Sequence, residues 1–81
     1  MRIQVDPCDW LSDDHPIVNA VQRQLHHDFF VMIGRYTLAI IHYPTGVYKK
    51  FLLPQDTHDF EISAIDYFIV ERIHNGKERA V

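Results

Sequence analysis

Hydrophobic residues recur at helical spacing in the segment SDDHPIVNAVQRQLHH, residues 12–27. With a period of 3.6 residues one face of this segment is apolar. That face consists of Ile17, Val18, Val21 and Leu25, with Ala20 beside them. Either Ser12 or Asp14 can cap the free amides of the first turn, and Pro16 stands where its missing N–H costs nothing. The pattern therefore predicts an N-terminal amphipathic helix that extends to the end of the segment.

The segment FFVMIGRYTLAIIHYPTGVYKKFLL, residues 29–53, is rich in β-branched and aromatic residues and contains two turn signals. Gly34-Arg35 suits a two-residue type II′ turn, because glycine accepts the positive φ at the first central position. Pro44-Thr45-Gly46 suits a three-residue loop with glycine in the left-handed position. These signals predict a three-stranded antiparallel meander with strands at 29–33, 36–43 and 47–53.

The predicted turns decide which side chains share a face of the sheet, since they pair Ile33 with Tyr36 and Tyr43 with Val47. One face then carries Phe29, Val31, Ile33, Tyr36, Leu38, Ile40, His42, Tyr48, Lys50 and Leu52, and the other carries Phe30, Met32, Thr37, Ala39, Ile41, Tyr43, Val47, Lys49, Phe51 and Leu53. A half-solvated antiparallel sheet alternates between apolar and polar residues, which this one does not. Either the helix and the C-terminal tail cover opposite faces, or a second copy or a partner covers one face or the edge strand 47–53.

The two ends of the chain are less regular. Residues 2–5 have the composition of a short strand, and an acidic stretch that contains Asp6, Asp9, Asp13 and Asp14 follows. Residues 63–75 favour a C-terminal helix, because SAID resembles a capping box and apolar residues follow at helical spacing. The composition of DYFIVERI also allows an extra strand pair that would give a small barrel-like sheet. The expected fold class is α+β in either case.

Composition places the chain among small single-domain proteins. It has 81 residues, of which 47% are hydrophobic, and this is enough for one core spanning residues 1–81. The start MRIQVDPCDW lacks the apolar segment of a secretory signal, and the longest apolar runs are far shorter than the roughly 20 residues that cross a bilayer. We therefore expect a cytoplasmic protein with no membrane contact. The single cysteine, Cys8, excludes an intramolecular disulfide and is expected to be buried.

His26, His27 and Asp28 are the first weak candidates for a metal site, and His58 in the loop DTHD is the second. Neighbouring residues on a helix point about 100° apart, so two adjacent helical histidines would not share one ion. Imidazoles are also favourable near the exposed carbonyls at the C-terminus of a helix. We therefore predict no metal, no cofactor and no catalytic residue.

Two other functions remain as alternatives. A small metal-dependent or histidine-based hydrolase or nuclease would use His26, His42 or His58. An RNA-binding module is suggested because the order αβββα is similar to that of double-stranded-RNA-binding domains, and the barrel alternative to that of Sm-like proteins. The start of the last helix, EISAID, lacks the lysine cluster of the former, and the net charge is −3. Nucleic acid is therefore not the expected partner.

The apolar sheet favours a non-enzymatic protein-binding domain, such as an inhibitor, an adaptor, a small subunit or a homodimer. Aromatic residues and methionine are enriched at protein interfaces. The predicted contact residues are Phe30, Met32, Ile41, Tyr43 and Phe51, with Tyr36 and Tyr48 at the margin of the sheet.

Overall fold

The computed structural model describes residues 1–55 and 58–79. In chain order its elements are β1 (Arg2–Gln4), a short 3-10 helix (Pro7–Trp10), α1 (Pro16–Gln22), β2 (Phe29–Ile33), β3 (Thr37–His42), β4 (Val47–Leu52), β5 (Asp59–Glu61) and α2 (Ser63–Arg79). Strands β2, β3 and β4 form an antiparallel meander in that order, and β1 pairs antiparallel with β5 in a separate two-stranded sheet. The predicted α+β fold class is confirmed, with the two-stranded sheet as an addition.

The core lies on one face of the three-stranded sheet. The core residues contributed by the meander all alternate onto that face: Phe29, Val31, Leu38, Ile40 and Phe51. Helix α1 packs Ile17 and Val21 against this face, and α2 packs Ile65 and Phe68 against it. Both helices therefore cover the same face, and the predicted arrangement with the C-terminal tail over the opposite face is wrong.

Helix α1 begins at a different cap from the predicted one. The Nδ1 atom of His15 accepts the backbone N–H of Ile17 at 3.1 Å, so the imidazole occupies the capping position directly before Pro16. The hydroxyl of Ser12 instead accepts the N–H of Asp14 within the preceding loop. A histidine therefore replaces the serine and the aspartate that the sequence suggested as caps.

The helix also ends earlier than the pattern predicts, at Gln22. The N–H of Gln24 donates to the carbonyl of Val21, which is a tighter turn than the α-helix has. The side-chain amide of Gln22 donates to the carbonyl of Phe29 at 2.9 Å and accepts the N–H of Val31 at 3.2 Å. Gln22 thus hydrogen-bonds the backbone of β2 along the edge that faces away from β3, and the helix stops where this contact is made.

The register of the meander differs from the prediction at both turns. Ile33 pairs with Leu38, a shift of two residues, which leaves every side chain of β2 and β3 on its predicted face. His42 pairs with Val47, a shift of one residue, which moves every side chain of β4 to the other face. Among the described residues only Gly46 has a positive φ, at 71°, so the type II′ turn predicted at Gly34 does not form.

Residues 63–79 form a helix, so the alternative with an extra strand pair is wrong. Ile65 and Phe68 are buried and Ile69 is partly buried, as the helical spacing predicts. The helix continues through Asn75 and Gly76, where the sequence suggested that it would stop.

A buried carboxylate joins the 3-10 helix to the end of α1. Asp9 is 3% exposed, and its two carboxylate oxygens accept hydrogen bonds from the Nε and Nη2 atoms of Arg23 at 3.1 and 2.8 Å. The backbone N–H of Asp6 donates to the same carboxylate at 2.8 Å. The Arg23 guanidinium, and then the Asp6 amide, lower the pKa of Asp9 below its ordinary value.

We expect this ion pair to make the protein more stable at neutral than at acidic pH. The pKa of Asp9 is lower in the folded than in the unfolded chain, so its contribution is complete above the unfolded pKa of about 3.9 and is lost as the pH falls through the folded pKa. Between pH 5 and pH 3, the urea midpoint of Asp9→Asn should fall less than that of the wild type. Asp13→Asn, which removes an exposed acid from the same stretch, should behave like the wild type, and equal slopes for all three proteins would contradict the assignment.

Candidate protein-binding face

The face of the three-stranded sheet opposite the core is not covered by any element of residues 1–55 and 58–79, and it is largely apolar. We call it the open sheet face and define it by Phe30, Met32, Ile41, Tyr48, Lys50 and Leu52. Phe30 and Met32 are 44% and 50% exposed, and Tyr48 and Leu52 are 60% and 80% exposed. These side chains alternate with core residues along the strands, so they lie together on one surface.

The antiparallel register orders this face into rows across the strands. Phe30, Ile41 and Tyr48 are direct neighbours in one row of three. In the next row Ala39 lies between Met32 and Lys50, and its small side chain leaves a low point between two long ones. The result is a shaped apolar surface with one ammonium group at its β4 side.

One tyrosine extends the face beyond the strands. The ring of Tyr43, which is 61% exposed, lies 5.9 Å from the ring of Phe30 between centroids. Tyr36 is 66% exposed and has the guanidinium of Arg35 over its ring, 5.4 Å from the centroid. We call Tyr43 the rim tyrosine, because its ring reaches a residue of the open sheet face.

Most of the contact residues expected from the sequence lie on the open sheet face or beside it. Phe30, Met32, Ile41 and Tyr48 lie on it, and the rim tyrosine lies beside Phe30. Tyr36 precedes β3 and is not among the paired residues that define the face. The expectation that Phe51 is a contact residue is wrong. Its side chain is 5% exposed and packs against Phe68 in the core, because the β4 register differs by one residue. The same shift brings Leu52 onto the open face, where the sequence reasoning did not expect a contact. The loop signal at Gly46 was visible, but the length of the loop was not.

Charge is distributed unevenly between this sheet and the rest of the chain. Residues 29–55 contain Arg35, Lys49 and Lys50 and no acidic residue. All 11 acidic residues of the chain lie outside that range. Of these cations only Lys50 lies on the open sheet face, since Lys49 is paired with Ile40 on the covered face. The residues that define the open sheet face therefore include one cation and no carboxylate, although the protein as a whole carries a net charge of −3.

The histidine candidates occupy different environments. His26 and His27 do not finish a helix, since α1 ends at Gln22, and the expectation that their side chains diverge on a helix is wrong. Their ring centroids are 3.9 Å apart. His42 is buried on the covered face, where its Nδ1 lies 2.9 Å from the hydroxyl of Thr45. The carbonyl of His58 accepts the N–H of Val5 beside the two-stranded sheet.

The acidic segment contains Cys8, and the DTHD segment contains Asp59. Cys8 is exposed rather than buried. Asp59 forms an ion pair of 2.8 Å with Arg2 across the two-stranded sheet, whereas the first two residues of DTHD lie outside the described residues. Neither segment contributes to the open sheet face.

No helix within residues 1–55 and 58–79 combines the length and the apolar character needed to cross a bilayer. Comparisons of the chain with protein-family models, curated proteins and solved structures find no match.

Proposed function

We propose that this domain is a non-enzymatic protein-binding module, an inhibitor, adaptor or small subunit, that docks another protein on the open sheet face. The observation that carries the proposal is the contiguous exposure of Phe30, Met32, Tyr48 and Leu52 on a regular sheet. Single exposed apolar residues are common on protein surfaces, but a continuous patch of this kind usually marks an interaction site.

The size of the patch supports a specific interface. An aromatic side chain presents roughly 150–250 Å², so the partly exposed residues of the open sheet face and the rim tyrosine together expose on the order of 600 Å². A specific complex buries about 800 Å² on each partner, including a polar rim. The patch therefore supplies most of the central area that such a complex needs.

Charge selects the chemistry of the partner. Lys50 lies on the face, and residues 29–55 contain no acidic residue. If two copies packed their open faces together, the interface would contain cations from both and no carboxylate from either. A different protein with an apolar surface that carries Asp or Glu opposite Lys50 would complement both the shape and the charge.

A selection from a random-peptide display library can test this chemistry directly on the isolated domain. The immobilised wild-type protein should enrich peptides that combine aromatic or aliphatic residues with Asp or Glu. Tyr48→Ser, which removes apolar area, and Lys50→Glu, which reverses the charge, should each weaken these peptides at least about tenfold. The matched control is Tyr67→Ser, which removes a 76% exposed tyrosine from α2 and should leave binding unchanged.

Several results would contradict the proposal. Enriched peptides that are basic, or that bind equally well to the Tyr48 and Lys50 variants, would exclude the open sheet face. A dimer in light scattering that Tyr48→Ser dissociates would identify a second copy as the occupant. Aromatic side chains on a basic sheet can also stack the bases of single-stranded nucleic acid. Tight binding of an oligonucleotide in fluorescence anisotropy, lost in Tyr48→Ser, would therefore favour an RNA-binding function instead.

A further inference from the structure

The segment between α1 and β2 brings His26, His27 and Asp28 together in a turn. The N–H of Phe29 donates to the carbonyl of His26 at 3.0 Å, which closes a four-residue turn over these three side chains. Because these residues are not helical, the side chains of His26 and His27 are not held about 100° apart as adjacent helical side chains are. The two imidazole rings are in contact and tilted relative to each other, with an interplanar angle of 38°.

The ligand atoms of this turn have the spacing of a metal site. The distance from His26 Nδ1 to one oxygen of Asp28 is 3.4 Å, and that from His27 Nε2 to the other oxygen is 3.5 Å. Ligands bound to a tetrahedral Zn²⁺ at 2.0–2.1 Å lie about 3.4 Å from one another. One nitrogen from each histidine and one carboxylate oxygen lie within 4.8 Å of one another, which is close to the spacing of ligands around one ion.

The turn is also held in place on the side of the carboxylate. The carbonyl of Asp28 accepts the N–H of Tyr43 at 2.9 Å, which fixes the backbone of Asp28 to the loop between β3 and β4. Nδ1 of His26 accepts the N–H of Asp28 through a long contact of 3.3 Å, which an ion could replace. His26 and His27 are exposed, so an ion can reach them and retain water at its remaining position.

A second cluster of potential ligands, formed by Asp6, Cys8 and Asp9, does not offer an available carboxylate from Asp9. Both oxygens of Asp9 already accept hydrogen bonds from Arg23, and one also accepts the N–H of Asp6. A cation at this cluster would compete with the guanidinium for the same carboxylate. The carboxylate of Asp9 is therefore used by the fold, whereas among the described residues that of Asp28 has only the two histidines beside it as ion-pair partners.

We infer that His26, His27 and Asp28 form a binding site for a borderline divalent cation of the Zn²⁺ class. Two imidazole nitrogens and one carboxylate suit Zn²⁺, whereas Mg²⁺ and Ca²⁺ prefer sets of oxygen ligands. Three protein ligands leave one tetrahedral position for water or for a group from another molecule. The site lies on the turn and not on the open sheet face, so it does not depend on the proposed protein-binding function.

Isothermal titration of the protein, without a polyhistidine tag, with Zn²⁺ alone tests the site. One ion should bind per chain without a change in the mass measured by light scattering, and Mg²⁺ at the same concentration should not compete. His26→Gln, His27→Gln and Asp28→Asn should each weaken Zn²⁺ binding at least about tenfold. The matched control is His58→Gln, which replaces an exposed histidine outside the turn and should bind as the wild type does.

Circular dichroism spectra of all the variants establish that each is folded, so a loss of binding can be assigned to the ligands. Absence of saturable Zn²⁺ binding would overturn the inference. So would binding that the three substitutions leave intact, or one ion shared between two chains. None of these results bears on the peptide-binding test of the open sheet face.

Discussion

Phe68→Ala is expected to lower the free energy of unfolding by about 3–5 kcal/mol, the range observed for removal of a buried aromatic ring. The ring of Phe68 lies between those of Phe29 and Phe51, with centroid distances of 6.3 Å to each and near-perpendicular planes. It is 5% exposed and connects α2 to two strands of the meander. Its removal leaves a cavity at the point where the helix is attached, which urea denaturation followed by circular dichroism would measure.

The neighbouring residue on the same helix provides the control. Tyr67 is 76% exposed, so Tyr67→Ala should change the free energy of unfolding by no more than about 0.5 kcal/mol. Similar losses for the two substitutions would mean that α2 does not pack through the face that contains Phe68. Since domains of this size have little stability to spare, partial unfolding of Phe68→Ala at room temperature would agree with the expectation.

Phe51→Lys is expected to prevent cooperative folding. The substitution places an ammonium group on the covered face of β4, beside Lys49, whose ammonium lies 5.8 Å from the centre of the Phe51 ring. Burying an ion without a partner costs several kcal/mol, which is comparable to the whole stability of a small domain. The near-ultraviolet circular dichroism signal and a sigmoidal urea transition should both be lost.

Leu52→Lys introduces the same group one residue later. Leu52 is 80% exposed on the open sheet face, so this variant should fold with a change in the free energy of unfolding of about 0.5 kcal/mol or less. The pair of substitutions therefore measures the register of β4 directly. The opposite outcome, a folded Phe51 variant and an unfolded Leu52 variant, would support the register with Tyr43 opposite Val47.

This register marks the limit of what the sequence could predict about the sheet. The three strands were predictable from their β-branched and aromatic composition. The turn at Gly46 was predictable because glycine tolerates the left-handed conformation that the structure shows there. The loop is one residue longer than expected, because the carbonyl of His42 accepts the N–H groups of both Thr45 and Gly46. Because side chains alternate with a period of two, the one extra loop residue moves every side chain of β4 to the opposite face.

The end of α1 was unpredictable for a different reason. The apolar stripe and the residues around Leu25 were compatible with a longer helix, and no local breaker follows Gln22. What ends the helix is a tertiary contact, the bond from the Gln22 side chain to the backbone of β2. A contact between residues of two elements leaves no local signal, and the arrangement of His26 and His27 followed from it.

The candidate binding face was predictable in part. The alternation of side chains in β2 and β3 correctly indicated that Phe30, Met32 and Ile41 share one face of the sheet. Which face the helices would cover was not encoded in that pattern, because both faces are apolar. The choice depends on where the connections place α1 and α2, and both reach the side that contains Phe29.

The unequal distribution of charge gives the molecule an electric dipole that acts before any contact is made. Lys50 lies on the side of the sheet opposite α1, and the acidic 3-10 helix packs beside α1. The field extends over about a Debye length, roughly 8 Å at physiological salt, and exerts a torque on an approaching charged surface. For the proposed acidic partner, we therefore expect added salt to slow association while leaving the residence time almost unchanged.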